Sequence, residues 1–394
     1  MGNLLIAHGG GPTPVINSSL RGVVEQAKKQ PQIGGIYGAR FGVEGVLNEA
    51  FIDLGAQSEA AIRGLSSTPA SALGSCRRKL KSDDYPRILD VFKKYDIRYF
   101  LYNGGNDSMD TCNKIAALAK DSGYEMRVIG VPKTIDNDLM HTDHCPGFGS
   151  AARYVAVSTL ELWKDVQSLP IHVCIMEVMG RNAGFITAVS ALARKSEGCG
   201  PHLIYLPERP FIREQFLEDV SAWHKRAGGV LVVVSEGLCG PDGAPLSDSG
   251  VVDGFGHKVP GGVSQHLSEL VIRELGIKSR SEKPGLLGRC SIPLQSPVDR
   301  DEAYQVGALA VRAACEYKTG FMVSITRECE DPYRAGYGLV PLSEVANAER
   351  KFPDNWINAR GNDINPDFIK YCAPLMGAAL PDYIDLDLTP VKKL

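Results

Sequence analysis

The stretch Ile97-Arg98-Tyr99-Phe100-Leu101-Tyr102-Asn103-Gly104-Gly105-Asn106-Asp107-Ser108 decides how this chain is read. The run from Ile97 to Tyr102 is short and mostly apolar, as in a buried strand, and the chain then breaks on two glycines. A second run, Arg127 to Val131, ends in Pro132-Lys133-Thr134-Ile135-Asp136-Asn137-Asp138. Backbone flexibility, amide donors, one lysine and three carboxylates therefore meet at strand ends, where open α/β sheets hold their ligands. Glycines let a phosphate approach main-chain N–H groups, and carboxylates hold Mg²⁺ or take a proton. Together these predict phosphoryl chemistry.

Working outward, the first part of the chain alternates strand and helix signals. Asn3 to His8 reads as a strand ending in Gly9-Gly10-Gly11-Pro12-Thr13-Pro14, and a helix fits from Pro14 to Lys29 with Ile16, Leu20, Val23, Val24 and Ala27 on one face. Further strands are expected at Ile33–Tyr37, Ile171–Val178, His202–Leu206, Val230–Ser235 and Phe321–Ile325, with helices over 85–95, 150–168 and 302–318. Such alternation implies right-handed βαβ crossovers and largely parallel sheets. Residues 237–262, rich in Gly, Pro and Asp, read as an excursion loop, and the tail after Ala335 as irregular.

With 394 residues the chain is long enough for two domains or one elaborated α/β unit. Hydrophobic content of 44% and charged content of 23% fit a soluble globular protein, and a net charge of −3 gives no reason to expect nucleic acid or membrane as a partner. No signal peptide and no bilayer-length apolar run are read, and Ile6 stands where a myristoylation signal wants Ser or Thr. The ten cysteines are scattered without a C-x-x-C pair, so reduced thiols in a cytoplasmic protein are expected.

Each motif also has a bland reading. Gly9-Gly10-Gly11 before a helix is an anion site or simply a strand–helix turn, and it lacks the P-loop and dinucleotide fingerprints. Leu73-Gly74-Ser75-Cys76-Arg77-Arg78-Lys79 by itself reads as a solvated basic face. Asp136-Asn137-Asp138 is harder to dismiss as a turn, because one carboxylate would chelate Mg²⁺ while the other accepts a hydroxyl proton, with Lys133 neutralising phosphate charge. Met179-Gly180-Arg181 and Ser235-Glu236-Gly237 each put polar residues at a strand end, as turn or as ligand contact. His172 reads alone as a core histidine, and Arg289 and Arg300 as surface arginines.

In this order the set resembles the phosphofructokinase family over nearly all of residues 3–330. The pieces that carry the resemblance are the Gly9–Pro14 turn with Asn17, Leu73 to Arg77, Gly104 to Ser108, Lys133 to Asp138, Glu177-Val178-Met179-Gly180-Arg181, and Ser235-Glu236-Gly237. The resemblance implies two Rossmann-like αβα sandwich domains with largely parallel sheets, a phosphoryl-donor unit of 1–145 plus 285–320 and a sugar-phosphate unit of 146–284 plus 321–394. It implies Asp136 as the base that takes the proton of the sugar's 1-hydroxyl, with Lys133 and Arg181 stabilising the transferred group. Thr134, Ile135, Asp138, Met179, Gly180, Arg181 and Glu236 would line a fructose 6-phosphate site, and Gly11 and Arg77 would contact the donor phosphates. Arg289 and His172 would reach the sugar's 6-phosphate from a neighbouring subunit, with Arg300 as a further phosphate contact. A homodimer or homotetramer with shared sites is expected.

The donor follows from Asp107 and Lys133, since ATP-using bacterial members carry glycine at both places. A carboxylate at the first would meet the nucleotide's α-phosphate with bulk and like charge, a penalty of several kcal/mol in a poorly solvated site. Lysine at the second suits compact pyrophosphate. The expected activity is reversible and Mg²⁺-dependent, from pyrophosphate and fructose 6-phosphate to fructose 1,6-bisphosphate and phosphate. The alternatives are an ATP-dependent 6-phosphofructokinase or a non-catalytic sugar-phosphate binding protein. Asn106 stands where the family often has a metal-associated aspartate, so Mg²⁺ would rest on Asp107 and Asp138 with Asn106 beside them. Leu286-Leu287-Gly288-Arg289 keeps only the arginine of a motif that often begins with Tyr.

Overall fold

Leu4, Leu5, Ile6 and Ala7 are all fully buried, so strand β1 (Gly2–His8) is covered on both faces, as the centre of a parallel sheet requires. The computed structural model describes residues 1–170, 172–252, 258–387 and 389–391, and only backbone for the described part of 248–260. Around β1 lie β2 (Ile33–Ala39), β3 (Phe51–Asp53), β4 (Ile97–Gly104) and β5 (Arg127–Pro132). A second sheet is built from β6 (Val173–Val178), β7 (Leu203–Tyr205) and β8 (Val230–Ser235). The hairpin β9 (Asp248–Val252) and β10 (Lys258–Pro260) follows, then β11 (Ser279–Glu282), β12 (Phe321–Glu330) and β13 (Tyr333–Pro341).

The first sheet has the order β13-β12-β5-β4-β1-β2-β3, parallel except for its two edge strands, and the second, β11-β6-β8-β7, is parallel throughout. From β1 the chain crosses by helix Ile16–Ala27 to β2 on one side, and from β4 by helix Asn106–Asp121 to β5 on the other. The order therefore reverses between β1 and β4, which opens a crevice at their carboxyl ends. Helix Pro297–Cys315 crosses helix Ile16–Ala27 through reciprocal glycines. A Cβ on Gly22 would lie 2.1 Å from the Tyr304 carbonyl, and one on Gly307 would lie 2.1 Å from that of Ser19.

The α/β class, the largely parallel sheets and most strand positions follow the sequence reading. Three expectations change. The first helix begins at Ile16 rather than Pro14, with Thr13 Oγ1 accepting from the Val15 N–H. The excursion loop contains the β9–β10 hairpin, and residue 171, expected to open a strand, lies outside the described residues.

The third change concerns the tail. Residues 321–341 do not join the second unit: β12 pairs with β5 and carries β13, so both extend the first sheet. The following segment packs on the second unit, where Phe352, Ile357, Phe368 and Leu375 share a core with Phe148, Val178 and Val233. The apolar stretch Phe321–Ile325 did not show which sheet it would extend, because strand pairing is non-local. All ten cysteines are unpaired, and no helix of the described residues is long and apolar enough to cross a membrane.

Candidate active site

The register of β1, β4 and β5 aligns their last residues, with His8 opposite Asn103 and Gly104 opposite Pro132. Adjacent strands lie about 5 Å apart, so everything that follows these ends is gathered in one crevice. The Gly9 N–H donates to Asn103 O (2.9 Å) and the Lys133 N–H to Gly104 O (3.1 Å), which prolongs the ladder into the loops. Gly104 must be glycine, since a Cβ there would fall 2.0 Å from Ser108 Oγ.

Lys133 is 4% exposed, and its Nζ donates to the Gly11 carbonyl at 2.6 Å. Burial lowers its pKa to about 8; Asp138 and Asp136 oppose that fall, while Arg289 and Arg77 add to it. Next to it opens a cleft of about 520 Å³ lined by Gly10, Gly11, Ser75, Arg77 and Arg289 among others. A side chain on Gly11 would come within 2.8 Å of an Arg289 guanidinium nitrogen. The sequence reading missed His8, whose burial holds its pKa down near 3, with Lys133 adding to the effect. Ser71 Oγ donates to Gly74 O (2.8 Å), so it accepts from the His8 Nδ1–H (2.7 Å), and the neutral imidazole braces the cleft wall.

On the other side of Lys133 stand the carboxylates. Burial, then the charges of Asp138 and Glu236, raise the pKa of Asp136 to about 7 against the pull of Lys133. Asp138 is also raised, chiefly by burial, although Thr134 bonds to it. Thr134 Oγ1 accepts the Asp136 N–H at 3.0 Å, and Ile135 turns into an apolar pocket with Met179, Val178 and Tyr154. Asn106 Oδ1, Asp136 Oδ1 and Asp138 Oδ1 are buried without a hydrogen-bond partner among the described residues. Oxygen atoms left in this way suit a hard cation. Mg²⁺ takes one or two protein oxygens and fills the rest of its shell with water and substrate phosphate, so it needs no triad of His, Cys, Asp or Glu, and none occurs among the described residues.

The ends of β6 and β8 supply the facing wall. Ser235 Oγ donates to Gly180 O (2.7 Å) and accepts the Gly237 N–H (3.0 Å), and the Glu236 N–H donates to Val178 O (3.0 Å). This lock brings Gly237 so close to Arg181 that a Cβ would lie 1.8 Å from the Arg181 carbonyl. Gly180 itself has φ of +120°, a conformation that favours glycine. The Arg181 side chain is thereby left exposed at the rim.

Asp107, Arg289, His172 and Arg300 complete the set of predicted residues. The Asp107 side chain is 81% exposed and 3.9 Å from Lys79 Nζ, at the rim and not in a poorly solvated pocket. Its like-charge penalty toward a nucleotide is therefore nearer about 1 kcal/mol than several. Arg289, expected to reach a neighbouring subunit's sugar, lies in the cleft of its own chain against Gly11 and close enough to Arg77 for their charges to interact. His172 precedes β6, about 20 Å from Met179 at the far end of that strand, so it does not reach the site of its own chain. It is 2% exposed, its Nδ1–H donates to Leu169 O (3.1 Å), and Nε2 has no partner among the described residues. Arg300 pairs with Asp301 (3.0 Å) on helix Pro297–Cys315 and touches none of the other site residues described.

The C-terminal segment supplies residues that no motif pointed to. The Arg350 N–H donates to Asp138 O (2.8 Å), Asn137 Nδ2 donates to Tyr371 Oη (2.9 Å), and the Glu349 carboxylate adds to the negative field on Asp136. Their partners lie more than 200 positions away, beyond the reach of any local pattern.

The sequence profile described as "Phosphofructokinase" matches residues 3–314. The chain belongs to the phosphofructokinase family. Among curated relatives, the pyrophosphate–fructose 6-phosphate 1-phosphotransferase of Halomonas elongata is 42% identical over 95% of this chain and 91% of its own. The protein of the same name from Xanthomonas campestris is 42% identical over 100% of this chain and 98% of its own. Among solved structures, the pyrophosphate-dependent phosphofructokinase of Marinobacter aquaeolei superposes with a TM-score of 0.88 at 42% identity, covering 98% of this chain and 94% of that one.

Proposed function

We propose that this phosphofructokinase-family chain moves a phosphoryl group from pyrophosphate to the 1-hydroxyl of fructose 6-phosphate, giving fructose 1,6-bisphosphate and phosphate. The observation that carries this reading is the pairing at the end of β5 of a buried lysine, Lys133, with a carboxylate, Asp136, held near pKa 7. A general base works best when its pKa is close to the working pH, and Asp136 meets that condition. It takes the hydroxyl proton as the sugar oxygen attacks phosphorus; the P–O bond of the donor breaks, and phosphate leaves. Lys133, Arg77 and the glycine amides hold the donor, with Arg289 in the same cleft. Thr134, Ile135, Asp138, Met179, Gly180, Arg181 and Glu236 surround the acceptor and keep it in line.

Asn106 and Asp138, with Asp107 at the rim, are the residues that would hold Mg²⁺, which supplies charge neutralisation on the phosphates when bound. A pyrophosphate donor leaves the reaction close to balance, so it runs in both directions. The reading includes a cytoplasmic homo-oligomer with sites shared between subunits, while Arg300 keeps only a phosphate-steering role.

The test is Asp136→Ser, assayed with pyrophosphate, fructose 6-phosphate and Mg²⁺. In this variant kcat should fall by at least about 10²-fold with both KM values little changed. An unaffected kcat would remove Asp136 from its role as base.

A further inference from the structure

The Asp136-Asn137-Asp138 turn depends on a residue that neither its own loop nor its own sheet provides. Asn137 is fully buried and has φ of +58°, the left-handed conformation that asparagine tolerates better than most L-residues. Its side-chain amide is engaged on both sides. Oδ1 accepts the Cys145 N–H (3.0 Å), and Nδ2 donates to the hydroxyl of Tyr371 (2.9 Å), which lies 234 positions along the chain. That hydroxyl in turn donates to the Asp143 carbonyl (2.7 Å). One oxygen therefore accepts from one side of the 137–143 loop and donates to the other.

Tyr371 is itself fixed. Two guanidiniums approach its ring, Arg327 at 4.7 Å and Arg350 at 5.9 Å from the centroid. Arg327 donates to Tyr371 O (3.1 Å) and grips the Asp143 carboxylate through two nitrogens (3.2 and 3.0 Å). Arg350 bonds the carbonyls of Asp138, Thr142 and Asp143, through its N–H to the first and its guanidinium to the other two. The carboxylates of Asp136 and Asp138 flank the left-handed residue, so any rotation at Asn137 re-aims both.

We propose that Tyr371 is a positioning residue for phosphoryl transfer, its hydroxyl closing the loop that points Asp136 at the acceptor. The inference rests on the assignment of Asp136 as base. Tyr371 does not touch substrate; it acts through Asn137, so its removal should affect the transition state more than substrate binding.

Tyr371→Phe keeps the ring beside the two arginines and deletes only the hydroxyl. The expected result is a fall in kcat of about tenfold in both directions, with KM for fructose 6-phosphate and pyrophosphate within about twofold of wild type. Asn137→Gly keeps the left-handed backbone without the amide. In that background the added Tyr371→Phe should change kcat by less than about twofold, because both changes remove the same link. Wild-type kcat in Tyr371→Phe overturns the proposal. So does a loss matched by rising KM values and a lower melting temperature, or one that multiplies independently with Asn137→Gly. If Asp136→Ser leaves kcat intact, the base assignment fails first. If it abolishes kcat while Tyr371→Phe does not, only the positioning role fails.

Discussion

Lys133→Met is the most revealing perturbation of the donor cleft. Burial, only partly offset by Asp138 and Asp136, brings the lysine pKa from 10.5 down to about 8, a net penalty of roughly 3 kcal/mol on the ammonium. The folded-state value is depressed, so the unfolded chain holds the proton more tightly. The penalty is full below about pH 8 and disappears as pH rises toward 10.5, so it is present at pH 7. Methionine has similar length and no charge. It removes that penalty along with the hydrogen bond to Gly11 O, itself a contribution of about 1 kcal/mol. Without ligand the variant should therefore be more stable than wild type by about 2 kcal/mol at pH 7, a rise of a few degrees in Tm.

Pyrophosphate reverses the ranking. A polyanion beside the buried ammonium offsets its desolvation, so wild type gains Tm from pyrophosphate and the variant gains little. The loss should appear as about a 10²-fold fall in kcat/KM for pyrophosphate. Calorimetry at pH 7 with and without pyrophosphate, together with steady-state kinetics, reads both effects. A variant that melts below wild type, or that keeps the wild-type gain from pyrophosphate, refutes the reasoning.

The pH dependence of kcat/KM for pyrophosphate should be bell-shaped, rising as Asp136 deprotonates near pH 7 and falling as Lys133 loses its proton near pH 8. Lys133→Met should lose the alkaline limb, and a wild-type profile flat from pH 6 to 9 would contradict both assignments. Gly237→Ala places a methyl against the Arg181 carbonyl and should raise KM for fructose 6-phosphate about tenfold while sparing that for pyrophosphate. Equal KM values in variant and wild type would show that the Arg181 turn does not shape the acceptor site.

Much of the site was legible because its parts sit at strand ends. A glycine break after an apolar run locates a residue in a parallel sheet before any contact is known, and Gly11, Asn106, Lys133 and Asp136 do follow the ends of β1, β4 and β5. What stayed hidden depends on pairing and on distance along the chain. The stretch after Phe321 joined the first sheet through β5, and Arg350 and Tyr371 reached the Asp136-Asn137-Asp138 turn from a segment without periodicity. The solvation of Asp107 was also hidden: its position was readable, whereas the neighbouring Lys79 and the open rim were not. Asn106, unexplained as a substitution, becomes intelligible as an oxygen with no protein partner among the described residues at the start of helix Asn106–Asp121.

The phosphoryl donor sets this activity apart from that of a nucleotide-dependent kinase. Purified protein, Mg²⁺ and fructose 6-phosphate, assayed in parallel with pyrophosphate and with ATP, test it most directly. Turnover with pyrophosphate should far exceed that with ATP, and a reverse reaction should consume fructose 1,6-bisphosphate and phosphate. Robust turnover with ATP and none with pyrophosphate would contradict it.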